Sequence, residues 1–373
     1  MPAPSILLAG DFDAADPGHE AVMGACGRAL PGFSLVAVSS DPLTTTALHG
    51  WPSVDRADRS AVGRAAGRAD ALVIAGAPVF AAGSGTRAGT RRLTRALALA
   101  LAVTARGRPV ALLGVGGGPL GSGLAPLLAR QLVRQADLLV LRDHAAARAL
   151  ASAGAPAPFR VGADPAWTWL GDPPDISTPV EDVVTVVVSD RPFGAMVSGP
   201  LAVALDAVLE TGLAVRLLPW RAGAGGRADR ELTRRIAERL GWRATLLPAV
   251  GDLREARASI AGSRAVVALP YHAQLAAASA GVPCVALEAV EGPPGLGHPL
   301  AWRSVSIGAD PLRIAAAIIR QASSPAPSQA AVRERIAAAG EGFRLLRLLL
   351  HGGRSTEGGR NTDLELAPVA WDR

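Results

Sequence analysis

The chain has 373 residues, 49% of them hydrophobic, with 38 basic and 32 acidic residues for a net charge of +6. That length and apolar content exclude overall disorder and leave room for two domains, each with a sizeable core. The basic residues are all Arg and lie scattered along helical stretches, and aromatics are 4% of the chain, so the clustered cations and aromatics of a nucleic-acid surface are missing.

At the N-terminus, Met1-Pro2-Ala3-Pro4 carries no positive charge in its side chains and runs straight into Ile6-Leu7-Leu8-Ala9-Gly10, so no signal peptide is expected. The longest apolar run, Ala96 to Val103, is too short for a membrane span. A cytoplasmic protein is the expectation, with peripheral contact to a membrane surface left open. Apolar runs predict buried strands at Ser5–Ala9, Ser34–Val38, Ala71–Ala75, Pro109–Val115, Asp137–Leu141 and Phe159–Val161. Helical periodicity falls between them, at Gly18–Ala29, Arg87–Ala105, Leu124–Gln135 and His144–Ala153. Short apolar strands alternating with helices predict a parallel sheet covered on both faces.

Residues 171–182 open on Gly171-Asp172-Pro173-Pro174 and lack periodicity, which predicts a linker. A second series follows, with strands at Val183–Val188, Ala214–Leu218, Ala244–Leu247, Ala265–Leu269, Val282–Leu287 and Val305–Ile307. Its helices are Leu201–Glu210, Asp229–Leu240, Leu253–Ala261, His272–Ala280 and Pro311–Gln321. The predicted organisation is a first domain over 1–170, the linker 171–182, a second domain over 183–322, a helix over 329–351 and a polar tail, 352–373, expected to be disordered. The predicted fold class is α/β, with two Rossmann-like doubly wound domains facing a cleft, as in the GT-B class.

Candidate chemistry sits after predicted strands. His272 opens a helix after the strand Ala265–Leu269, and an imidazole there can give or take a proton near neutral pH; a histidine that only packs or caps fits the same pattern. Arg191 ends a strand, either as an anion anchor or as an ordinary ion-paired arginine. Tyr271, the chain's one tyrosine, offers a hydroxyl, a stacking face or plain packing. In the loop Gly10–Gly18 and the helix start after it, Asp11, Asp16, Gly18, His19 and Glu20 are placed to bind an anion or sugar hydroxyls, although helix capping accounts equally well for Asp16. Gly116 and Gly117 let backbone approach a ligand or simply turn the chain. The loops Gly83–Arg87 and Gly295–Pro299, with His298, are weaker candidates, and Arg142 and Asp143 are expected to pair or to cap a helix. The two cysteines, Cys26 and Cys284, sit in small apolar surroundings and read as buried thiols. No Cys/His spacing of a zinc site is present, and no metal is expected.

Four segments, in order, resemble the polysaccharide pyruvyl transferase family. Gly10-Asp11-Phe12-Asp13-Ala14-Ala15-Asp16-Pro17-Gly18-His19-Glu20-Ala21 is similar to its opening loop, G-x-x-G-x-x-N-x-G-D-E-A. Gly114-Val115-Gly116-Gly117-Gly118-Pro119-Leu120, then Ala136-Asp137 and Leu141-Arg142-Asp143, resembles its G-x-G-I-G-P-L … AD … V-R-D-E run. Asp164-Pro165-Ala166 matches a D-P-A element. Finally, the strand ending Asp190-Arg191-Pro192 and the block from Gly251 to Leu287 resemble the family's R-P strand and its R-x-H followed by G-V-P. The resemblance covers roughly the first 310 residues, and the order of the motifs is its specific part.

The resemblance implies transfer of the pyruvyl group of phosphoenolpyruvate to two sugar hydroxyls as a ketal, in the biosynthesis of an exopolysaccharide or cell-wall glycan. The partners it implies are a small-molecule donor and a glycan or lipid-linked saccharide acceptor, with phosphoenolpyruvate as co-substrate and no other cofactor; no oligomeric state is specified. It makes His272 the general acid and Arg191 the donor's anchor; Tyr271, next to His272, is a donor-site candidate on its own chemistry alone. Two departures stand out: the arginine of R-x-H falls on Pro270, and the asparagine and aspartate of the opening loop fall on Asp16 and His19. The Ala75-Gly76-Ala77-Pro78 turn likewise stands where a glycine triplet is usual. The alternatives are a GT-B glycosyltransferase using a nucleotide sugar, with Glu288 as its ribose contact, and a non-catalytic relative that binds a glycan.

Overall fold

The computed structural model describes residues 3–13, 15–81, 87–156, 158–173, 180–191, 194–288, 300 and 302–352. The chain divides into two compact units, one of 1–14, 22–169 and 335–373, the other of 15–21 and 170–334.

The first unit holds β1 (Ser5–Ala9), β2 (Ser34–Ser39), β3 (Ser53–Asp55), β4 (Ala71–Ala75), β5 (Val110–Val115), β6 (Leu138–Leu141) and β7 (Arg160–Val161). Their order is β3-β2-β1-β4-β5-β6-β7, every pair parallel. β4 and β5 are buried at every position, which is why they read as unbroken apolar runs rather than alternating ones. Leu72, Ile74 and Leu112 pack in one core with Leu93, Ala100 and Val103 of the helix Arg87–Thr104 and Leu132 of the helix Leu124–Gln135. β3 was not among the predicted strands. It is short, none of its residues is fully buried, and so it carries no apolar signal.

The second unit holds β8 (Glu181–Val188), β9 (Ala214–Pro219), β10 (Thr245–Leu246), β11 (Ser263–Ala268), β12 (Cys284–Glu288) and β13 (Arg303–Ser306). Their order is β10-β9-β8-β11-β12-β13, again parallel throughout. β8 begins two residues earlier than the apolar pattern marks. Its polar start is held by Arg216, which pairs with Glu181, and by Arg264, which meets Asp182 at 2.7 Å. Val184, Val186, Leu205, Leu217, Ile236 and Ile318 share its core.

Both sheets therefore have the reversed order of doubly wound folds, and together they make the chain a two-Rossmann protein of the GT-B type. Cys26 and Cys284 are free and fully buried, and burial pushes both thiols well above their ordinary pKa. Among the described residues no helix is long and apolar enough to cross a membrane. Residues 174–179 of the predicted linker, the loop 82–86, Pro192, the loop carrying His298 and the tail from 353 lie outside the described residues.

Candidate functional site

In the second unit the chain leaves β8 toward β9 on one side and later returns to β11 on the other. At such a point the loops diverge beyond the carboxyl ends of the strands, and ligands bind there in open α/β sheets. β8 and β11 pair as far as Val187 and Ala268, and the Leu269 N–H donates to the Val187 carbonyl at 3.3 Å. Asp190 and Arg191 follow one of these strands and His272 follows the other.

Pro270 is the N-cap of the helix Tyr271–Ser279, with φ −81° and ψ 143°. A proline at this place gives up no helical hydrogen bond, since first-turn N–H groups have no partner within the helix; its carbonyl accepts the Ala273 N–H at 3.2 Å. His272 is therefore set in the first helical turn, only 7% exposed. Its imidazole lies against residues 15–21 of the same unit. A Cβ on Gly18 would stand 2.0 Å from His272 Nδ1, so glycine is required by space, not by backbone angle. His19 meets the imidazole edge to face at 5.9 Å between ring centres, and Tyr271 does so at 5.2 Å.

Asp16 starts the helix Pro17–Ala29. Its Oδ1 accepts the N–H groups of Gly18 at 2.9 Å and His19 at 3.3 Å, its carbonyl accepts the Glu20 N–H at 3.0 Å, and Pro17 takes the first helical position. The capping role foreseen for Asp16 is thus present. Ala15 enters the turn at φ 68°, a strained angle for a residue with a Cβ; its N–H donates to the buried Glu20 carboxylate at 3.3 Å. The result brings together Asp16, His19 and His272, whose candidate ligand atoms all lie within 4.8 Å of one another.

Beside this group is an ionic cluster whose Arg221 and Asp229 the motifs did not mark. Arg221 follows β9 and is buried, as is Asp229 in the first turn of the helix Arg227–Arg239. Arg221 donates to Asp229 from Nε at 2.9 Å and from its NH2 group at 2.8 Å, and also to Asp190. The backbone N–H groups of Asp190 and Arg221 reach the same Asp229 carboxylate at 2.8 and 3.0 Å. The loop turns tightly here: a Cβ on Gly226 would overlap the Arg221 carbonyl. Burial would raise Asp229, but the hydrogen bonds from Arg221 and the Asp190 N–H outweigh it and hold this carboxyl below its ordinary pKa. Asp190 goes the other way, raised by burial and by its hydrogen bond with Asp229 against the opposing charges of Arg221 and Arg191. Arg221 is held protonated first by Asp229, with Asp190 and Asp16 adding their charge. Arg191 itself is exposed, and its N–H donates to Ser189 Oγ at 3.3 Å. The sequence signal for Arg221 was its place just past a strand's carboxyl end, with an aspartate at the next helix start.

Asp11, Gly116, Gly117, Arg142 and Asp143 belong to the first unit. Asp11 pairs with Arg92 at 2.7 Å. Above Gly116 and Gly117 the space is filled by Arg142 and Ala146, which added Cβ atoms would meet at 2.3 and 2.8 Å. Arg142 pairs with Asp143 at 3.1 Å, and Asp143 caps the helix His144–Ser152 through the Ala146 N–H at 2.8 Å.

A search of curated proteins finds no match to this sequence. Among solved structures, the chain is similar in fold to Anabaena Alr3699/HepE in complex with UDP, with 16% identity, TM-score 0.54 and coverage of 93% of this chain and 98% of that one. It is likewise similar to the S. aureus MnaA–UDP co-structure, with 14% identity, TM-score 0.60 and coverage of 92% and 95%. A putative UDP-N-acetylglucosamine 2-epimerase from Listeria monocytogenes gives 14% identity, TM-score 0.59 and coverage of 93% and 95%. At such identities these likenesses speak for the fold alone. The sequence profile named polysaccharide pyruvyl transferase matches residues 20–289, a span that runs from the helix start beside His19 through β12 and includes Arg191, Arg221 and His272. The chain belongs to the polysaccharide pyruvyl transferase family.

Proposed function

We propose that this protein moves the pyruvyl group of phosphoenolpyruvate onto two hydroxyls of a saccharide acceptor in the cytoplasmic assembly of a cell-surface glycan. The reaction needs an acid to protonate the methylene carbon of the enol, which becomes the methyl group. The two acceptor hydroxyls add in turn to the adjacent carbon and phosphate leaves; the proton of the first hydroxyl restores the acid, and that of the second departs with the phosphate. His272 is the acid in this reading. The observation that carries it is the placement of a buried imidazole and Arg191 just beyond paired strands at the order reversal of one sheet.

The arginine missing at Pro270 limits how the donor is held. Arg221 is buried and committed to Asp229 and Asp190, so the exposed Arg191 is the cation assigned to the donor's phosphate or carboxylate. Protonation by a positioned acid contributes roughly 10²–10⁴-fold. His272→Ala is therefore expected to lower kcat by about that factor, while Arg191→Ala mainly raises KM for phosphoenolpyruvate. The binding test is a thermal melt: phosphoenolpyruvate should raise the melting temperature, and Arg191→Ala should remove the rise. A rise with UDP-sugars and none with phosphoenolpyruvate contradicts the proposal and favours a nucleotide-sugar enzyme. No response to either favours a glycan-binding protein without catalysis.

A further inference from the structure

Asp16, His19 and His272 bring two imidazoles and one carboxylate to one place within the second unit, with candidate ligand atoms all within 4.8 Å of one another. We propose that these three residues form a binding site for a single divalent cation of the zinc class. The donor set selects that class. Imidazole suits zinc and its first-row neighbours, whereas magnesium and calcium take sets of oxygen ligands. Three protein ligands leave a fourth position open, as in two-histidine, one-carboxylate zinc sites.

The three groups are unequally fixed. His272 is 7% exposed and wedged against the bare face of Gly18, so its ring is set in place. Asp16 is pinned by its own helix cap, where Oδ1 is used and Oδ2 makes no bond to these N–H groups. His19 is only partly buried, one turn along the same helix, and is the ligand able to swing. Zinc bonds of ~2.1 Å set donor atoms ~3.4 Å apart, so closing the site asks for a shift on the order of 1 Å, within reach of the His19 side chain. Arg221 acts electrostatically on Asp16, yet its charge is met by both Asp190 and Asp229.

One consequence rests on the reading of His272 given above. An imidazole bound to a cation is no longer a cationic acid, so cation loading and pyruvyl transfer oppose each other. Zinc then acts as an off-switch on the same site.

The test uses the full chain, treated with chelator and then titrated with Co²⁺, whose visible absorption reports a four-coordinate nitrogen–oxygen site. One equivalent is expected to bind. Asp16→Asn keeps the helix cap, and His19→Ala removes a partly exposed ring; each is expected to weaken Co²⁺ binding by at least about 10-fold, while melting in chelator like the parent protein. No Co²⁺ spectrum, or full binding by His19→Ala, overturns the site. Phosphate release from phosphoenolpyruvate in chelator and with saturating Zn²⁺ tests the consequence separately. Release in chelator that zinc suppresses supports the switch, and release that zinc leaves unchanged overturns it. Co²⁺ binding with no release in either condition supports the cation site and ends the pyruvyl-transfer reading alone.

Discussion

Single positions in the second unit are tuned by space and by charge in separable ways. Gly18 is the clearest case of space, because any side chain there enters the His272 ring. Overpacking of this kind costs ~1–3 kcal/mol, so Gly18→Ala is expected to lower the melting temperature and to weaken phosphoenolpyruvate protection together. Gly63, on the helix Arg59–Arg68 with nothing within 4 Å of a Cβ, is the control: Gly63→Ala is expected to stabilise by up to ~1 kcal/mol. Charge governs Arg221. Removing it leaves Asp229 buried without its cation, and Arg221→Met is expected to destabilise by ~3–5 kcal/mol, with Arg221→Met/Asp229→Leu recovering much of that loss in chemical denaturation. Asp190 and Asp229 should also respond oppositely to acid. The lowered Asp229 contributes stability above the ordinary carboxyl pKa of ~3.9 that is lost as pH falls through its folded value. The raised Asp190 favours the protonated form in the fold, so its contribution is present below ~3.9 and lost as pH rises through its folded value. Asp190→Asn is accordingly expected to melt above the parent protein at pH 7, with the gap closing toward pH 4; an unchanged gap across that range contradicts the assignment.

The elements were legible where burial is two-sided. β1 and β4 and the helix Leu124–Gln135 fall on the residues marked by the apolar pattern, because a strand between two helical layers has no polar face to break its run. β3 is an edge strand of three residues with none fully buried, which leaves little periodicity to read, whereas the edge strand β10 was marked as Ala244–Leu247 and forms only as Thr245–Leu246. At the site, His272 was legible from its strand-to-helix position. Its packing on Gly18 and its approach to Asp16 and His19 were not, since these residues lie far apart in sequence and only the fold brings them together. The last helix read as one element over 329–351 and forms as Gln329–Gly352, but pattern alone did not show that its residues from Arg335 onward join the N-terminal unit. There Phe343 and Leu346 are buried, and a Cβ on Gly342 would stand 3.1 Å from Leu113. Phe343→Ala is expected to cost ~3–5 kcal/mol, against well under 1 kcal/mol for the half-exposed Leu348→Ala, measured by urea unfolding of the full chain.

At the scale of the whole molecule, two Rossmann-like sheets and a profile match over residues 20–289 agree on family and fold class. The fold alone serves many chemistries, and two of the structural neighbours are complexes with UDP. What separates the proposed pyruvyl transfer from nucleotide-sugar chemistry is the donor. Acceptor-dependent release of inorganic phosphate from phosphoenolpyruvate, over a panel of saccharides and in the presence of chelator, measures the donor directly. Release is expected with at least one acceptor, reduced by about 10²-fold or more in His272→Ala. Turnover of a UDP-sugar with no phosphate released from phosphoenolpyruvate would contradict the proposed pyruvyl transfer.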